Sequence, residues 1–136
     1  MIRLGEISAY RVWRYYTSYD GAIYLLSYVS DTRWFPGRRV EGGSPSFVGE
    51  QGIHGFKTMS DLRNDIRDNV GLLVARCQFT LPPTQGVIIG IIDLWGDVVE
   101  HERGYRGEYA RPSGFLEAHG DNDDAALARL RADFKV

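Results

Sequence analysis

A dense group of residues that could do chemistry lies in the run 94–110, which reads LWGDVVEHERGYRGEYA. Side chains on a β-strand alternate between its two faces, so Glu100 and Glu102 would share one face and His101 would lie on the other. A nearby carboxylate can raise the pKa of an imidazole into the range that suits a general acid or base. The run therefore contains a candidate acid–base group, Glu100/His101/Glu102.

Other interpretations of this run compete with acid–base chemistry. A metal site is disfavoured, because alternation places both carboxylates opposite His101 and no second histidine is near in sequence. Trp95, Tyr105 and Arg106 could instead form a ligand pocket. The pattern favours a polar ladder of cross-strand pairs, with Arg106 and Glu108 on one face, in which each pair contributes roughly 0.2–1 kcal/mol and fixes the register.

A second candidate group mixes arginines with aromatic residues near the start of the chain. Its members are Arg11, Trp13, Arg14, Tyr15, Tyr16, Trp34, Phe35, Arg38 and Arg39. Aromatic rings can stack on bases while guanidinium groups contact phosphates, so the mixture could hold a nucleic-acid strand or a nucleotide. The pattern favours the alternative that alternate members are core and the rest are solvated. A further question is whether this group and the run 94–110 face each other across one cleft.

Composition limits the classes of protein that fit. The chain has 136 residues, a single domain's worth, a net charge of −2 and a pI of about 5.9, which excludes a broadly basic nucleic-acid binder. Cys77 is the only cysteine, interpreted as a buried thiol, which fits a reducing compartment. The N-terminus has no signal-peptide pattern, and no apolar run approaches the ~20 residues of a membrane span. We expect a cytoplasmic protein that binds no membrane, no metal and no cofactor.

The periodicity predicts strands, helix, strands and helix in that order. Strand patterns cover Ile2–Thr17, Ala22–Ser30, Ile53–Lys57, Leu72–Leu81, Gly86–Trp95, Val98–Arg103 and Tyr105–Arg111. Gly86–Trp95 is apolar on both faces and is predicted to be central. Turns are predicted at 18–21 and at Gly96–Asp97, and an irregular stretch at 31–52.

Two helices complete the predicted fold. Ser60–Asn69 carries an apolar stripe and has Ser60 as its predicted N-cap, and Asp123–Phe134 carries a stripe of Leu127, Leu130 and Phe134. The element order predicts one α+β domain over residues 1–136. Its sheet is expected to be mainly antiparallel and strongly bent, or a small partly open barrel.

The run 94–110 resembles the ending shared by a family of short, uncharacterised proteins from actinobacteria and their phages. The segments 10–14 (YRVWR) and 34–37 (WFPG) fit the front half of that pattern, so the similarity covers about residues 5–112. The family has a His and a Cys-x-Cys-Gly before the strand that is here Gly52–Phe56, where this chain has GEQG. The resemblance implies no known activity. The bias to 14 Arg over two Lys fits a GC-rich genome.

A weaker resemblance concerns ADP-ribosyltransferase folds, which place an Arg or His on an early strand, an aromatic pair midway and a Glu on a late strand. Arg11, Phe56 and Glu108 match that order. Any α+β sequence this rich in Arg and Glu would offer such a triple, and fold-level analogy is a poor warrant for function.

Two functional hypotheses follow. The first is a small intracellular binding module, phage-borne if the resemblance holds, that engages a protein or a nucleic acid through an aromatic and arginine surface. Its binding residues would be Arg11, Trp13, Arg14, Trp34, Trp95, His101, Tyr105, Arg106 and Glu108. The second is a small nucleotide-directed enzyme with Arg11, His101 and Glu108 as catalytic residues, or with the Glu100/His101/Glu102 group.

Overall fold

Two long antiparallel strands organise the sheet. The computed structural model describes residues 6–28, 32–46, 51–68, 86–120 and 123–136. Its elements are β1 (Ile7–Thr17), β2 (Ile23–Ser27), β3 (Arg33–Trp34), β4 (Val40–Glu41), β5 (Ile53–Phe56), α1 (Met59–Asp68), β6 (Gly86–His101), β7 (Gly104–Gly120) and α2 (Asp123–Phe134). The predicted strand Leu72–Leu81, with Cys77, lies outside the described residues.

The sheet closes on itself through four of its strands. β6 pairs with β1 on one side and with β7 on the other. β5 pairs with β7 and, at Tyr10–Phe56, with β1, so the four strands form a ring-like sheet that is not a regular barrel. β2, β3 and β4 extend it. The predicted α+β class, the mainly antiparallel sheet and the central position of β6 are confirmed for the described residues.

The turn predicted at Gly96–Asp97 is wrong, because the chain continues through it as one strand. Gly96 has φ +78°, a conformation that glycine adopts without steric cost, and the register with β7 shifts between Trp95 and Val98. The extra residue makes a β-bulge. The chain reverses at residues 102–103 instead. A glycine followed by aspartate suits either a turn or a bulge, so the local signal alone could not separate them.

β7 also continues past the point where the sequence predicted its end. The prediction stopped the strand at Arg111 because Pro112 lacks a backbone N–H. Pro112 instead pairs with Ile92 at a second shift of register, where the ladder is already interrupted. A third shift falls between Ile89 and Gly90. These irregularities bend the β6–β7 hairpin.

The two helices cover different faces of the ring. α1 begins one residue before the prediction, and its N-cap is Thr58 rather than Ser60, because the Asp61 N–H donates to Thr58 Oγ1 at 3.0 Å. The side chain of Leu62 is its buried anchor. α2 has the predicted bounds, and Leu130 of the predicted stripe is fully buried.

The core consists of two clusters on opposite faces of β1. Trp13 and Tyr15 belong to the cluster that α2 covers through Leu130, and Val12 belongs to the cluster that α1 covers through Leu62. A strand buried on both faces cannot show a simple alternation of apolar and polar residues. This arrangement decides which of the predicted site residues reach the surface.

Candidate functional site

Three of the residues predicted to bind a partner lie in the interior. Trp13 and Arg14 have no exposed surface, and Trp34 is 2% exposed. The ring of Trp13 packs edge-on against Trp34 and tilted against Phe115, each with 5.5 Å between ring centroids. We therefore correct the predicted binding surface: these three side chains lie in the core and form no exposed face, although Trp34 also lines the cleft described below.

Ser27, which the sequence did not single out, connects these buried residues. Its hydroxyl accepts hydrogen bonds from Trp34 Nε1 at 2.8 Å and from Arg11 Nη2 at 3.3 Å. Its backbone carbonyl accepts one from Arg14 Nε at 3.0 Å. A serine in a short strand carries no sequence signal for such a role, since the four residues come together only because β2 pairs with both β1 and β3.

Arg11 opens into a cleft of about 470 Å³, hereafter the Arg11 cleft. Its Nη1 donates to the His54 carbonyl at 2.7 Å, and its guanidinium lies 4.8 Å from the centroid of the Trp34 ring. Burial lowers the pKa of Arg11 to about 10, so the side chain stays positively charged at neutral pH. The opposite strand contributes Arg106, which pairs with His54 across β5 and β7.

The arginine and aromatic group near the start of the chain meets the run 94–110 in the Arg11 cleft. Arg11 comes from the first group and Arg106 from the run 94–110, and both line this cleft. Glu41 and Asp65 also line it. Glu41 is ion-paired with Arg39, which lies on a different surface, and burial raises the pKa of Asp65.

His54 and His101 form a stacked pair behind the Arg11 cleft. Their ring centroids are 4.8 Å apart and the rings are 14° from parallel. Burial is the largest cause that lowers the pKa of His54 to about 4, and His101, Arg106 and Arg11 lower it further. The pKa of His101 is lowered by burial, then by Arg106 and Lys57. Both imidazoles are therefore neutral at neutral pH.

We predict that acidification from about pH 7 to pH 4 destabilises the fold by roughly 2 kcal/mol through His54 alone. The unfolded chain takes up a proton at His54 from about pH 6.5, whereas the folded chain does so only near pH 4, so stability falls with pH across that window. The figure allows for the partial exposure of the ring. Urea unfolding of the wild type and of His54→Gln at both pH values measures it.

Carboxylates elsewhere in the protein titrate in the same window, so the comparison between the two proteins is what matters. His54→Gln should lose less stability than the wild type on acidification. Equal losses in the two proteins would contradict the prediction.

The Glu100/His101/Glu102 group does not converge. Glu100 forms an ion pair with Lys57 Nζ at 2.7 Å. His101 stacks on His54, and Glu102 is exposed in the turn that follows β6. Alternation along the strand separates Glu100 from His101, as the sequence predicted, whereas Glu102 lies beyond the end of β6 and not on the strand face where it was predicted. Among the described residues, no group of three or more His, Cys, Asp or Glu side chains could hold a metal ion.

The Glu108 side chain binds the backbone of the β-bulge at Gly96–Asp97. Its Oε1 accepts a hydrogen bond from the Asp97 N–H at 3.1 Å. Asp97, which the sequence did not identify, is 9% exposed and accepts hydrogen bonds from the hydroxyls of Ser44 and Ser46 and from the Ser46 N–H. In the described part of the chain, neither Glu108 nor His101 lines the Arg11 cleft, so the predicted catalytic trio Arg11, His101 and Glu108 is not assembled in it.

A second recess, hereafter the Arg–aromatic groove, lies along the middle of the β6–β7 ladder and has a volume of about 420 Å³. Its lining residues are Phe35, Gly37, Arg38, Arg39, Trp95, Arg111, Pro112 and Phe134. The Arg111 guanidinium lies 5.3 Å from the Trp95 ring centroid, and the Arg38 guanidinium lies 5.3 Å from that of Phe35. Arg39 lies 4.1 Å from the ring centroid of Tyr109, which packs beside Trp95.

The charges of this groove are only partly neutralised. Arg39 pairs with Glu41 at 3.2 Å, and Arg111 lies 3.4 Å from Glu6 and 3.7 Å from Asp93. Arg38 has no carboxylate partner among the residues that the structure describes. Surface ion pairs contribute little and exchange readily for other anions, so the groove keeps a local positive character in an acidic protein.

The ligand pocket predicted from Trp95, Tyr105 and Arg106 does not form. Trp95 lines the Arg–aromatic groove and Arg106 lines the Arg11 cleft. Tyr105 packs against the core, with Lys57 Nζ 5.5 Å from its ring centroid. Neighbouring residues of a strand point to opposite faces, which separates Tyr105 from Arg106.

In comparisons with protein-family models, with curated proteins and with solved structures, nothing matches this chain. The resemblance of the run 94–110 to an actinobacterial and phage family stays a prediction. No helix in the described ranges is long and apolar enough to cross a membrane.

Proposed function

We propose that this protein is a binding module that holds a single-stranded nucleic acid in the Arg–aromatic groove. The observation that carries the proposal is the juxtaposition of two accessible rings, Phe35 and Trp95, with three guanidinium groups. Phe35 is 37% exposed, although a large apolar ring gains free energy from burial. Flat rings beside arginines match the chemistry of a base followed by a phosphate.

The groove favours unpaired strands over a duplex. Stacking on Phe35 or Trp95 needs a base whose face is free, and a duplex offers faces only at its ends. The arginines supply charge without a broad basic surface, since the whole chain has a net charge of −2. Binding should therefore be local and moderate. With three guanidinium contacts, the logarithm of affinity should fall with the logarithm of salt concentration with a slope of about −2.

Fluorescence anisotropy with a labelled oligo(dT) of about ten nucleotides tests the proposal. Trp95→Ala should weaken binding about tenfold, because one stacked base contributes roughly 1–3 kcal/mol. Arg38→Gln should weaken binding and make the salt slope shallower, because it removes a guanidinium that has no carboxylate partner in the described structure. Arg129→Gln is the matched control, since it removes the same charge from a residue that pairs with Asp133 on α2.

The result that would overturn the proposal is equally specific. Wild-type protein that does not bind the oligonucleotide at low salt, or that binds it as well after Trp95→Ala, does not use this groove for nucleic acid. Equal losses for Arg38→Gln and Arg129→Gln would mean that only net charge matters. If the groove binds a protein and not a nucleic acid, the oligonucleotide should stay unbound at every salt concentration.

The nucleotide-directed enzyme receives less support from the geometry. Its candidate catalytic carboxylate, Glu108, already accepts a hydrogen bond from the backbone of the bulge. Arg11 and Phe56 line one cleft, but Glu108 is not part of that lining.

A further inference from the structure

The geometry points to a second binding site: the Arg11 cleft takes a small ligand that carries an oxyanion, a carboxylate or a phosphate, on a flat apolar body. This site is separate from the Arg–aromatic groove. Its residues are Arg11, Arg106, Ser27, Trp34, Phe56 and Ile53. Two features of the cleft carry the inference, namely the Arg11 guanidinium, which has no carboxylate partner among the described residues, and the flat walls.

The charge of Arg11 is incompletely satisfied. A guanidinium has five N–H donors, and in the described part of the chain Arg11 uses two of them, toward the His54 carbonyl and the Ser27 hydroxyl. Its Nε is shielded from solvent and has no hydrogen-bond partner in the structure. No carboxylate lies within ion-pair distance of it among the described residues. A cation removed from water without a counter-charge is costly, and a bound anion would relieve that cost.

The surrounding groups favour a small anion over a solvated cation. Arg106 brings a second guanidinium to the cleft, and His54 stays neutral above about pH 4, so neither supplies a negative charge. Glu41 is held by Arg39. Asp65 also lines the cleft, so a ligand with a single negative charge fits it better than one with several.

The walls of the cleft favour an aromatic or otherwise flat ligand body. The Trp34 ring lies directly beside the Arg11 guanidinium, and Phe56 and Ile53 complete the apolar side. A volume of about 470 Å³ accommodates a ligand of one or two rings. Guanidinium groups bind carboxylates and phosphates through paired hydrogen bonds, so both anions share this chemistry.

Isothermal titration calorimetry with benzoate, phenyl phosphate and neutral benzamide tests the site. At least one of the two anions should bind at least tenfold more tightly than benzamide, and the preferred anion identifies the ligand class. Arg11→Met should weaken that binding tenfold or more, because it keeps the length of the side chain and removes the charge. Arg129→Gln, on α2 and outside the lining of the Arg11 cleft, should leave it unchanged.

A variant that fails to fold does not rescue the inference. If circular dichroism shows that Arg11→Met is unfolded, Arg106→Gln decides: weaker anion binding supports the site and unchanged binding overturns it. Anions that bind no better than benzamide, or no binding by any of the three compounds at millimolar concentration, also overturn it. These outcomes are independent of the oligonucleotide experiment, since the two sites share no lining residue.

Discussion

Replacing Gly90 by alanine should lower the free energy of unfolding by about 3 kcal/mol, at the upper end of the cost of overpacking a core. A Cβ at this buried position in β6 would lie 2.2 Å from the carbonyl oxygen of Gly114 and 3.0 Å from the Trp13 ring. The oxygen belongs to the backbone of β7, so it can move only if the ladder moves with it. The Trp13 ring is fully buried and has no free space to enter.

Gly114 provides the matched control on the neighbouring strand. A Cβ there would have its nearest contact at 3.9 Å, an ordinary van der Waals distance. Gly114→Ala should therefore change the free energy of unfolding by about 0.5 kcal/mol or less, and it gains from the lower entropy of the unfolded chain. Urea unfolding of both variants measures the difference. Equal effects at the two positions would show that β6 and β7 do not approach each other as described.

Replacing Trp13 by alanine should lower the free energy of unfolding by about 3–5 kcal/mol, the cost of removing a large buried aromatic side chain. The ring of Trp13 contacts those of Trp34 and Phe115 and joins the β1 strand to the rest of the core. Its loss would leave a cavity that these rigid aromatic neighbours cannot fill.

Trp95→Ala is the counterpart, and it should cost about 1 kcal/mol or less, because the Trp95 ring is partly exposed in the groove. In the oligonucleotide experiment the order of the two effects should reverse. Trp95→Ala should weaken binding strongly, whereas Trp13→Ala, measured at a low temperature at which it stays folded, should change binding little. A small loss of stability for Trp13→Ala, or a large one for Trp95→Ala, would contradict the packing described here.

Local signals predicted the parts of the fold that local sequence determines. The turn at 18–21, the strand β5 and the helix α2 each depend on residues close in sequence, such as the Asp-Gly pair that ends at Gly21 with φ +87°. The α+β class followed from the order of these elements. The bulge at Gly96 was missed because a left-handed glycine serves a turn and a bulge equally well.

Only the residue types of the candidate site could be predicted from the sequence, and their arrangement could not. Sequence reasoning found arginines and aromatic rings at both ends of the chain, but it could not tell Trp13 from Trp95, because both follow strand-like patterns. The difference is that both faces of β1 pack against residues that are distant in sequence, and the Trp13 ring is covered by Trp34 and Phe115. Ser27 and Asp97 were missed for the same reason, since their hydrogen-bond partners come from other elements.

The pairing of β1 with β6 also has a consequence for the order in which the chain is made. Tyr15 pairs with Gly86, about 70 residues later in the sequence, so β1 leaves the ribosome well before its main partner exists. At synthesis rates of about 5–20 residues/s, the delay is roughly 4–14 s. During that interval Trp13 lacks Phe115, one of the two rings that it packs against in the finished protein. The nascent chain therefore exposes the apolar side chains of β1 before β6 can pair with it, and we expect chaperones to bind β1 at this stage.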